Sequence, residues 1–257
     1  MATRNFKHVS DRWNEAEAAK LAGDEVALLI YRSNLLGSDL RLTNYGGGNT
    51  SCKAEAVNPV DGSKTQVMWV KGSGGDLGTL KKDGLAALYM DRLLGLEKVY
   101  RGLAHEDEMV ELFNHCIYDL ASKAPSIDTP LHSFLPFKHI DHLHPDAAIA
   151  IAAAKGGEKI TQELFQGTIG WVEWQRPGFD LGLKLRACLQ KNPKIKGIML
   201  GSRVSQGRKV YIYMLQDFFV EVVYQQDNMQ LNPERLETFS NLDNLNSYLE
   251  REFRTAF

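Results

Sequence analysis

Two histidines separated by a single residue, His142 and His144, have the spacing of a metal-binding pair. Side chains at positions i and i+2 of a strand point to the same face, so both imidazoles can meet one ion. Pro145 then breaks the strand and fits the first turn of a helix, whose buried side would come from residues 147–154. Metal and anion sites are often built where a strand ends beside a helix N-terminus. The competing interpretation is a pair of structural histidines at the rim of a core.

Zinc usually takes three or four protein ligands, so the pair needs further partners. Asp128 and His132 lie upstream and could supply a carboxylate and another nitrogen. Each residue also has a simpler interpretation. Asp128 precedes Thr129 and Pro130 and suits a turn, whereas His132 could pack in the interior or bond to the backbone. The residues alone leave these alternatives open.

Two glycine-rich segments, Gly48–Ser51 and Ser73–Gly75, are predicted to form loops. Backbone N–H groups, together with amide and hydroxyl side chains, can cradle a phosphate. Neither segment is a P-loop, because no Gly-Lys-Ser/Thr follows. The second segment is not a dinucleotide-binding motif, because Leu77 stands at the position of the third glycine. The alternative is that both segments are turns that need glycine.

The composition is that of an ordinary globular protein, with 257 residues, 44% of them hydrophobic and 24% charged. A net charge of -2 gives no bias towards nucleic acid or membrane surfaces, so neither partner is expected. Three widely spaced cysteines, Cys52, Cys116 and Cys188, fit neither a disulfide framework nor a zinc knuckle and indicate a reducing cytoplasm. No apolar run approaches about 18 residues, so no membrane span is expected.

Hydrophobic periodicity predicts several elements of both kinds. The predicted helices cover residues 11–33, 81–94, 105–123, 179–189 and 242–251. The predicted strands cover residues 65–70 and 196–200, and residues 159–164 are expected to be irregular or extended. Strands and helices that alternate without a linker or repeat predict one α/β domain over residues 1–257. These patterns do not fix the strand order.

The candidate segments follow one another in an order that carries more information than any of them alone. A Gly-Asn-Thr-Ser segment, a Ser-Gly loop, the segment Pro125–His132 and a His-x-His-Pro strand end occur in that sequence. This order resembles the class II aldolase/adducin family over roughly residues 13–200. Pro125–His132 and Trp174–Phe179 look most like the aldolase part of bifunctional rhamnulose-1-phosphate aldolase/lactaldehyde dehydrogenases. The resemblance implies a three-layer α/β/α sandwich with a mostly antiparallel central sheet, assembled as a homotetramer with sites between subunits.

The resemblance also implies roles for individual residues. His142 and His144 match two of three zinc-binding histidines, so Zn²⁺ is the expected cofactor. Asp128 falls where simpler aldolases carry a catalytic glutamate and is one methylene shorter. The residues implied in binding the substrate phosphate are Gly48, Asn49, Ser73, Gly74 and Ser126.

The chain departs from the family pattern after residue 200. The family normally has a His-Gly pair there, whose histidine completes the zinc site. Residues 201–207 contain no His-Gly pair, and no histidine follows His144. Arg203 is not a zinc ligand and carries a fixed positive charge, so residues 201–257 are atypical. One explanation is a shifted reading frame. If residues 202–204 are encoded by TCA-CGG-GTx, the same bases read one position later give CAC-GGG, which encodes His-Gly. The gene's codons at these positions test that explanation, and genuine divergence is the alternative.

The activity implied is zinc-dependent, reversible cleavage of a ketose 1-phosphate, such as rhamnulose 1-phosphate, to dihydroxyacetone phosphate and an aldehyde. The expected partner is therefore a small sugar phosphate. Two other functions stay open within the same family. One is an adducin-like scaffold or catalytically impaired member, which needs no complete metal site. The other is a metal-dependent epimerase of pentulose 5-phosphates.

Overall fold

A computed structural model describes residues 9–43 and 47–201 and, beyond them, the backbone of five short strands. The helices are α1 Glu15–Lys20, α2 Glu25–Gly37, α3 Met90–Gly95, α4 Glu106–Leu112, α5 Thr129–Ser133, α6 Asp146–Ala153, α7 Gly157–Phe165 and α8 Phe179–Lys191. The strands are β1 Asn49–Val57, β2 Lys64–Lys71, β3 Leu85–Tyr89, β4 His139–His142, β5 Ile169–Val172, β6 Gly197–Leu200, β7 Val204–Ser205, β8 Arg208–Lys209, β9 Tyr211–Leu215, β10 Phe218–Tyr224 and β11 Pro233–Phe239. Short 3-10 turns lie at Leu77–Thr79, Lys82–Gly84, Leu96–Val99, Leu103–His105 and Phe113–Cys116.

The central sheet has four strands in the order β3-β2-β1-β4, and every neighbouring pair is antiparallel. β1 and β2 form a hairpin, whereas β4 returns from far along the chain to pair with the start of β1. The register places Asn49 opposite His142 and Ser51 opposite Ile140. The end of β4 that carries the histidine pair is therefore fixed by the first residues of β1.

Helices cover both faces of this sheet. On one face α2 lies against β1, where the Ser33 and Thr50 hydroxyls are 2.6 Å apart. On the other face α5 meets the same strand, where His132 Nδ1 lies 2.8 Å from Ser51 Oγ. Since successive side chains of a strand point to opposite faces, Thr50 and Ser51 mark the two sides. The predicted α/β fold class, a three-layer α/β/α sandwich with a mostly antiparallel central sheet, is confirmed.

Each face of the sheet has its own hydrophobic core. The core on the α5 side joins β2 and β3 to α3, α4 and α8 through Met68, Val70, Ala86, Leu88, Met90, Leu93, Met109, Phe113, Cys116, Phe134 and Phe179. The core on the α2 side contains Leu29, Cys52, Leu77, Leu80 and Leu85. Each fully buried large apolar side chain stabilises the fold by about 1.5–3 kcal/mol relative to an exposed one.

A parallel pair, β5-β6, follows the central sheet along the chain and packs against α7 and α8. Beyond Gly201 the described strands form an antiparallel sheet, β11-β10-β9, and a two-stranded ribbon, β7-β8. The prediction that residues 1–257 form one domain stays a prediction. The helix predicted at 242–251 lies outside the described residues. None of the described helices is long and apolar enough to cross a membrane.

The strands predicted at 65–70 and 196–200 and the helix predicted at 179–189 are confirmed as β2, β6 and α8. The helix predicted over 81–94 is wrong, because residues 85–89 form β3. All five residues of β3 are buried, so no polar-apolar alternation marks them as a strand. The predicted helix over 11–33 is two helices, because the Asp24 side chain accepts the N–H groups of Val26 and Ala27 and starts α2 anew.

Three further expectations are wrong in part or in full. The helix predicted over 105–123 ends at Leu112 and continues only as a 3-10 turn, after which Ile117 bridges to Leu88. Residues 159–164, expected to be irregular or extended, belong to α7. The alanine-rich helix after Pro145 exists as α6, but none of its residues is buried, so residues 147–154 supply no buried side.

Candidate functional site

The two histidines converge at the end of β4. That strand ends at His142, so His144 lies just beyond it, and the prediction that both sit on one strand is wrong. The rings nevertheless face one another, with His142 Nε2 and His144 Nε2 3.2 Å apart and ring centroids separated by 4.9 Å.

Asn49 fixes the orientation of the His142 ring. The His142 Nδ1 lies 2.8 Å from Asn49 Oδ1. An amide oxygen only accepts hydrogen bonds, so the proton must be on Nδ1 and the Nε2 lone pair is directed at His144. This is the arrangement in which a second hydrogen bond holds a metal-ligating imidazole in the correct tautomer.

Burial favours the neutral form of both imidazoles. The pKa of His142 is lowered by burial, an effect that nearby Asp128 opposes and the positive charge of Lys71 reinforces. The pKa of His144 is also lowered, first by burial and then by His142. His144 is exposed to solvent, so a ligand can reach the histidine pair. Neutral imidazole is the form that binds a metal.

The pair fits one metal ion as two of its ligands. Zn–N bonds of about 2.0–2.1 Å in tetrahedral geometry place two nitrogens roughly 3.3 Å apart, close to the 3.2 Å between the two Nε2 atoms. Within residues 9–43 and 47–201, no group of three or more His, Cys, Asp or Glu side chains could hold an ion.

Asp128 approaches the same imidazole from the other nitrogen. Its Oδ2 lies 3.9 Å from His142 Nδ1, and its own N–H donates to Ser126 Oγ at 3.2 Å. Its Oδ1 is buried and has no hydrogen-bond partner among the described residues. A buried carboxylate oxygen without a donor is costly, so this atom is suited to accept a hydrogen bond from a bound molecule.

Lys71 joins this group and was not identified from the sequence. It is the last residue of β2, directly before the Gly72–Gly75 segment, and is 2% exposed. Burial lowers the pKa of Lys71, whereas Asp128 and Asp76 raise it. Its charge also acts on His142 and His144. The available signal was a lysine at the end of an apolar strand, immediately before a glycine-rich loop.

The first glycine segment is not a loop after Gly48, since Asn49 begins β1. Asn49, Thr50 and Ser51 are buried, and their side chains contact His142, Ser33 and His132, respectively. The polar side chains predicted to bind phosphate here are thus occupied inside the protein. The geometry favours Asn49 as a partner of His142.

The second glycine segment is open. Ser73, Gly74 and Gly75 are exposed, and a Cβ on Gly74 or Gly75 would meet no atom within 4 Å. The Ser73 N–H donates to Ala124 O at 3.4 Å, which sets this loop beside the segment that carries Ser126. Ser126 is 8% exposed, so its hydroxyl is largely enclosed. Ser73 and Gly74 are therefore exposed beside a segment in which Ser126 is largely enclosed, and the buried Lys71 precedes this loop at the end of β2.

A cavity of about 730 Å³ flanks the histidine pair, and its lining is mainly apolar. His142 and His144 line it on one side, and Leu200 at the end of β6 lines it as well. The family resemblance implies a third histidine just after β6, and Leu200, the last residue of β6, lines the same cavity as His142 and His144. Ser202 and Arg203 themselves lie outside the described residues.

Comparison with known proteins gives consistent matches. The family model for the Class II Aldolase and Adducin N-terminal domain matches residues 27–202. The Uncharacterized oxidoreductase YuxG of Bacillus subtilis (strain 168) is 41% identical over 194 residues, which are 76% of this chain and 27% of that protein. The chain thus spans about a quarter of that relative's length. The solved N-terminal class II aldolase domain of a conserved protein from Thermoplasma acidophilum has a TM-score of 0.65 and 31% identity, over 75% of this chain and 85% of that one.

Proposed function

Because the chain belongs to the class II aldolase and adducin family, we propose that it is a metal-dependent aldehyde-lyase that cleaves a ketose 1-phosphate, with rhamnulose 1-phosphate as the first candidate substrate. Proteins of this family generally use a divalent metal ion, typically zinc. The observation that carries the proposal is the pair of Nε2 atoms 3.2 Å apart. A zinc ion bound there by His142 and His144 would stabilise negative charge on substrate oxygens as a Lewis acid.

The substrate phosphate would be held by the open loop. Gly74 and Gly75 leave their backbone accessible, and the buried Lys71 ends the strand that leads into this loop. Ser73 and Ser126 add hydroxyl groups at the same surface. Backbone N–H groups and a lysine are a common combination for binding phosphate.

Asp128 would handle a proton at the reacting carbons. As the C3–C4 bond breaks, the C4 hydroxyl would give its proton to the Asp128 carboxylate and become the aldehyde, and the electron pair would remain at C3. Asp128 would then return that proton to C3, which yields dihydroxyacetone phosphate. The oxygen available for this step is Oδ1, which is buried and accepts no hydrogen bond from the described residues.

The test is the substitution His142→Ala, with His115→Ala as its control because the His115 side chain is exposed and distant in sequence from the site. We expect His142→Ala to lose both bound zinc and cleavage of rhamnulose 1-phosphate, because one of two adjacent ligands is removed. His115→Ala should retain both. Metal analysis of the purified protein and an assay of aldehyde release measure the two quantities. Equal zinc content and activity in His142→Ala would contradict the proposal.

A second candidate, a non-catalytic adducin-like scaffold, is favoured by one observation. The described residues provide no third metal ligand. A purified protein that binds no zinc and cleaves no ketose phosphate would support the scaffold. A panel that includes pentulose 5-phosphates would reveal epimerase activity instead. Assembly as a homotetramer and a cytoplasmic location belong to the proposal as well, with a sugar phosphate as the only small-molecule partner.

A further inference from the structure

His132 is a buried imidazole to which the proposed reaction assigns no role. It is 0% exposed, and its Nδ1 lies 2.8 Å from Ser51 Oγ. Its Nε2 is buried without a hydrogen-bond partner among the described residues. Burial holds its pKa well below the usual value, and His142, Lys53 and Arg32 lower it further. A buried imidazole with only one of its two nitrogens hydrogen-bonded stabilises the fold less than an apolar side chain would at this position.

The hydrogen bond to Ser51 joins the two elements that carry the site. His132 lies four residues after Asp128, one turn along α5, so both side chains project from the same side of that turn. Ser51 lies two residues after Asn49 on β1, so these two side chains share a face of the sheet. Asn49 in turn holds His142 Nδ1 at 2.8 Å. The bond therefore connects the segment that carries Asp128 to β1, the strand whose Asn49 holds His142.

Other contacts near α5 are of a different kind, since Leu131 packs against Leu181 and Leu185 of α8. From β1, Lys53 Nζ donates to Leu135 O and Phe137 O, beyond the end of the helix. α5 has only five residues, and a helix of that length does not hold its own position. On the opposite face, Arg32 donates to Ser51 O at 2.9 Å and to Asp141 Oδ1 at 3.0 Å. Arg32 thus ties α2 to β1 and β4 but does not reach the segment of Asp128. Among the described contacts, His132–Ser51 is the polar one that ties α5 to β1.

We propose that His132 is a positioning residue, whose hydrogen bond to Ser51 sets the separation of 3.9 Å between Asp128 Oδ2 and His142 Nδ1. Its effect on catalysis rests on the lyase function proposed above. A displacement of about 1 Å at a reacting group can reduce a rate about 100-fold. Loss of the bond should therefore slow proton transfer by Asp128 without removing the metal or the phosphate site.

The experiment compares three variants of the full chain. His132→Leu keeps most of the volume but loses the bond, Ser51→Ala removes the partner, and His132→Asn retains a polar group at the position of Nδ1. We expect kcat to fall about 10–100-fold in the first two, with KM and zinc content unchanged. His132→Asn should remain within about threefold of the wild type. The double variant of His132→Leu and Ser51→Ala should be no slower than either single one, because both remove the same bond.

A second readout does not depend on activity. The imidazole nitrogen resonances of His142 in the metal-free protein report the proximity of Asp128, and Asp128→Asn provides the reference spectrum. We expect Ser51→Ala and His132→Leu to shift these resonances towards the reference. If the wild type cleaves no ketose phosphate but the resonances shift, the positioning role holds and the lyase function fails. Unchanged resonances in folded Ser51→Ala, or an unchanged kcat in an active enzyme, would overturn the positioning role.

Discussion

The two glycine segments look alike in the sequence, but the structure uses them in opposite ways. Gly48 has a φ of 75°, and a Cβ there would lie 2.5 Å from His142 O. Gly74 has a similar φ of 72°, yet a Cβ there would meet nothing within 4 Å. The first glycine lets β1 start close to the end of β4. The second leaves backbone groups open to a ligand.

This difference separates construction of the site from binding by the site. Near Gly48 the polar side chains of Asn49 and Ser51 are paired inside the protein, so that segment orients His142. Near Gly74 the loop is exposed and adjoins Lys71 and Ser126, so that segment is free to contact a phosphate. Changes at the first segment should damage stability and activity together. Changes at the second should alter substrate binding and cost only the stability that the same change costs at an unrelated exposed glycine.

The largest effect is expected from Gly48→Ala, which tests the structural half of the comparison. The new methyl group would press on a backbone oxygen at a positive φ, so we expect the free energy of unfolding to fall by about 3 kcal/mol. Denaturant unfolding measures this loss, and zinc binding should fall with it. Gly62→Ala is the matched control, because Gly62 has a φ of 74° with nothing within 4 Å. It should cost about 1 kcal/mol.

If Gly48→Ala and Gly62→Ala destabilise the protein equally, the close approach of Gly48 to His142 contributes nothing. The two segments would then differ only in exposure. Such a result would remove the structural half of the comparison and return the first segment to the candidates for phosphate binding.

A smaller effect is expected from Lys71→Met, which sharpens the binding half. Loss of the buried ammonium should raise KM for the sugar phosphate about 10–100-fold, in line with about 1.5–3 kcal/mol for a charge-assisted hydrogen bond. The variant should also lack the part of the pH dependence of stability that comes from titration of Lys71. The folded protein has a lowered pKa at Lys71, whereas the unfolded chain has about 10.5. Between these values the unfolded chain binds more protons, so wild-type stability rises with pH.

Denaturant unfolding between neutral pH and about pH 10.5 measures this difference between the wild type and Lys71→Met. The wild type should gain stability relative to the variant as the pH rises through the lowered pKa. A constant difference, together with an unchanged KM, would place Lys71 outside the site.

How much the sequence predicts differs between the parts of the site. The histidine pair, Asp128 and the Ser73–Gly75 loop could be selected from residue types and their order. The role of Asn49 could not, because it depends on the β1-β4 register, which joins residues 93 positions apart. The burial of Lys71 was missed for a related reason. The burial of Lys71 depends on segments that are remote in the sequence, not on β2, the strand that carries it.

The fold was predicted at the level of class and missed in particular elements. β3 was taken for a helix because Leu85–Tyr89 is buried on both faces, and a fully apolar run of five residues has no period to read. α7 was missed because its helical pattern is short and lies among glycines. The histidine that the family resemblance implies after β6 has no counterpart, since no histidine follows His144; Ser202 and Arg203 lie outside the described residues.

The smallest effect is expected from Gly74→Ala, and it separates the two segments most directly. Gly74 and Gly62 share a positive φ and open surroundings, so both alanine variants should lose the same stability, about 1 kcal/mol. Only Gly74→Ala should raise KM, about threefold to tenfold, because its methyl group stands where a phosphate would approach the backbone. Steady-state kinetics and unfolding curves of the two variants supply the comparison. If KM is the same in both, the open loop does not contact the substrate, and the phosphate must be bound elsewhere around Lys71.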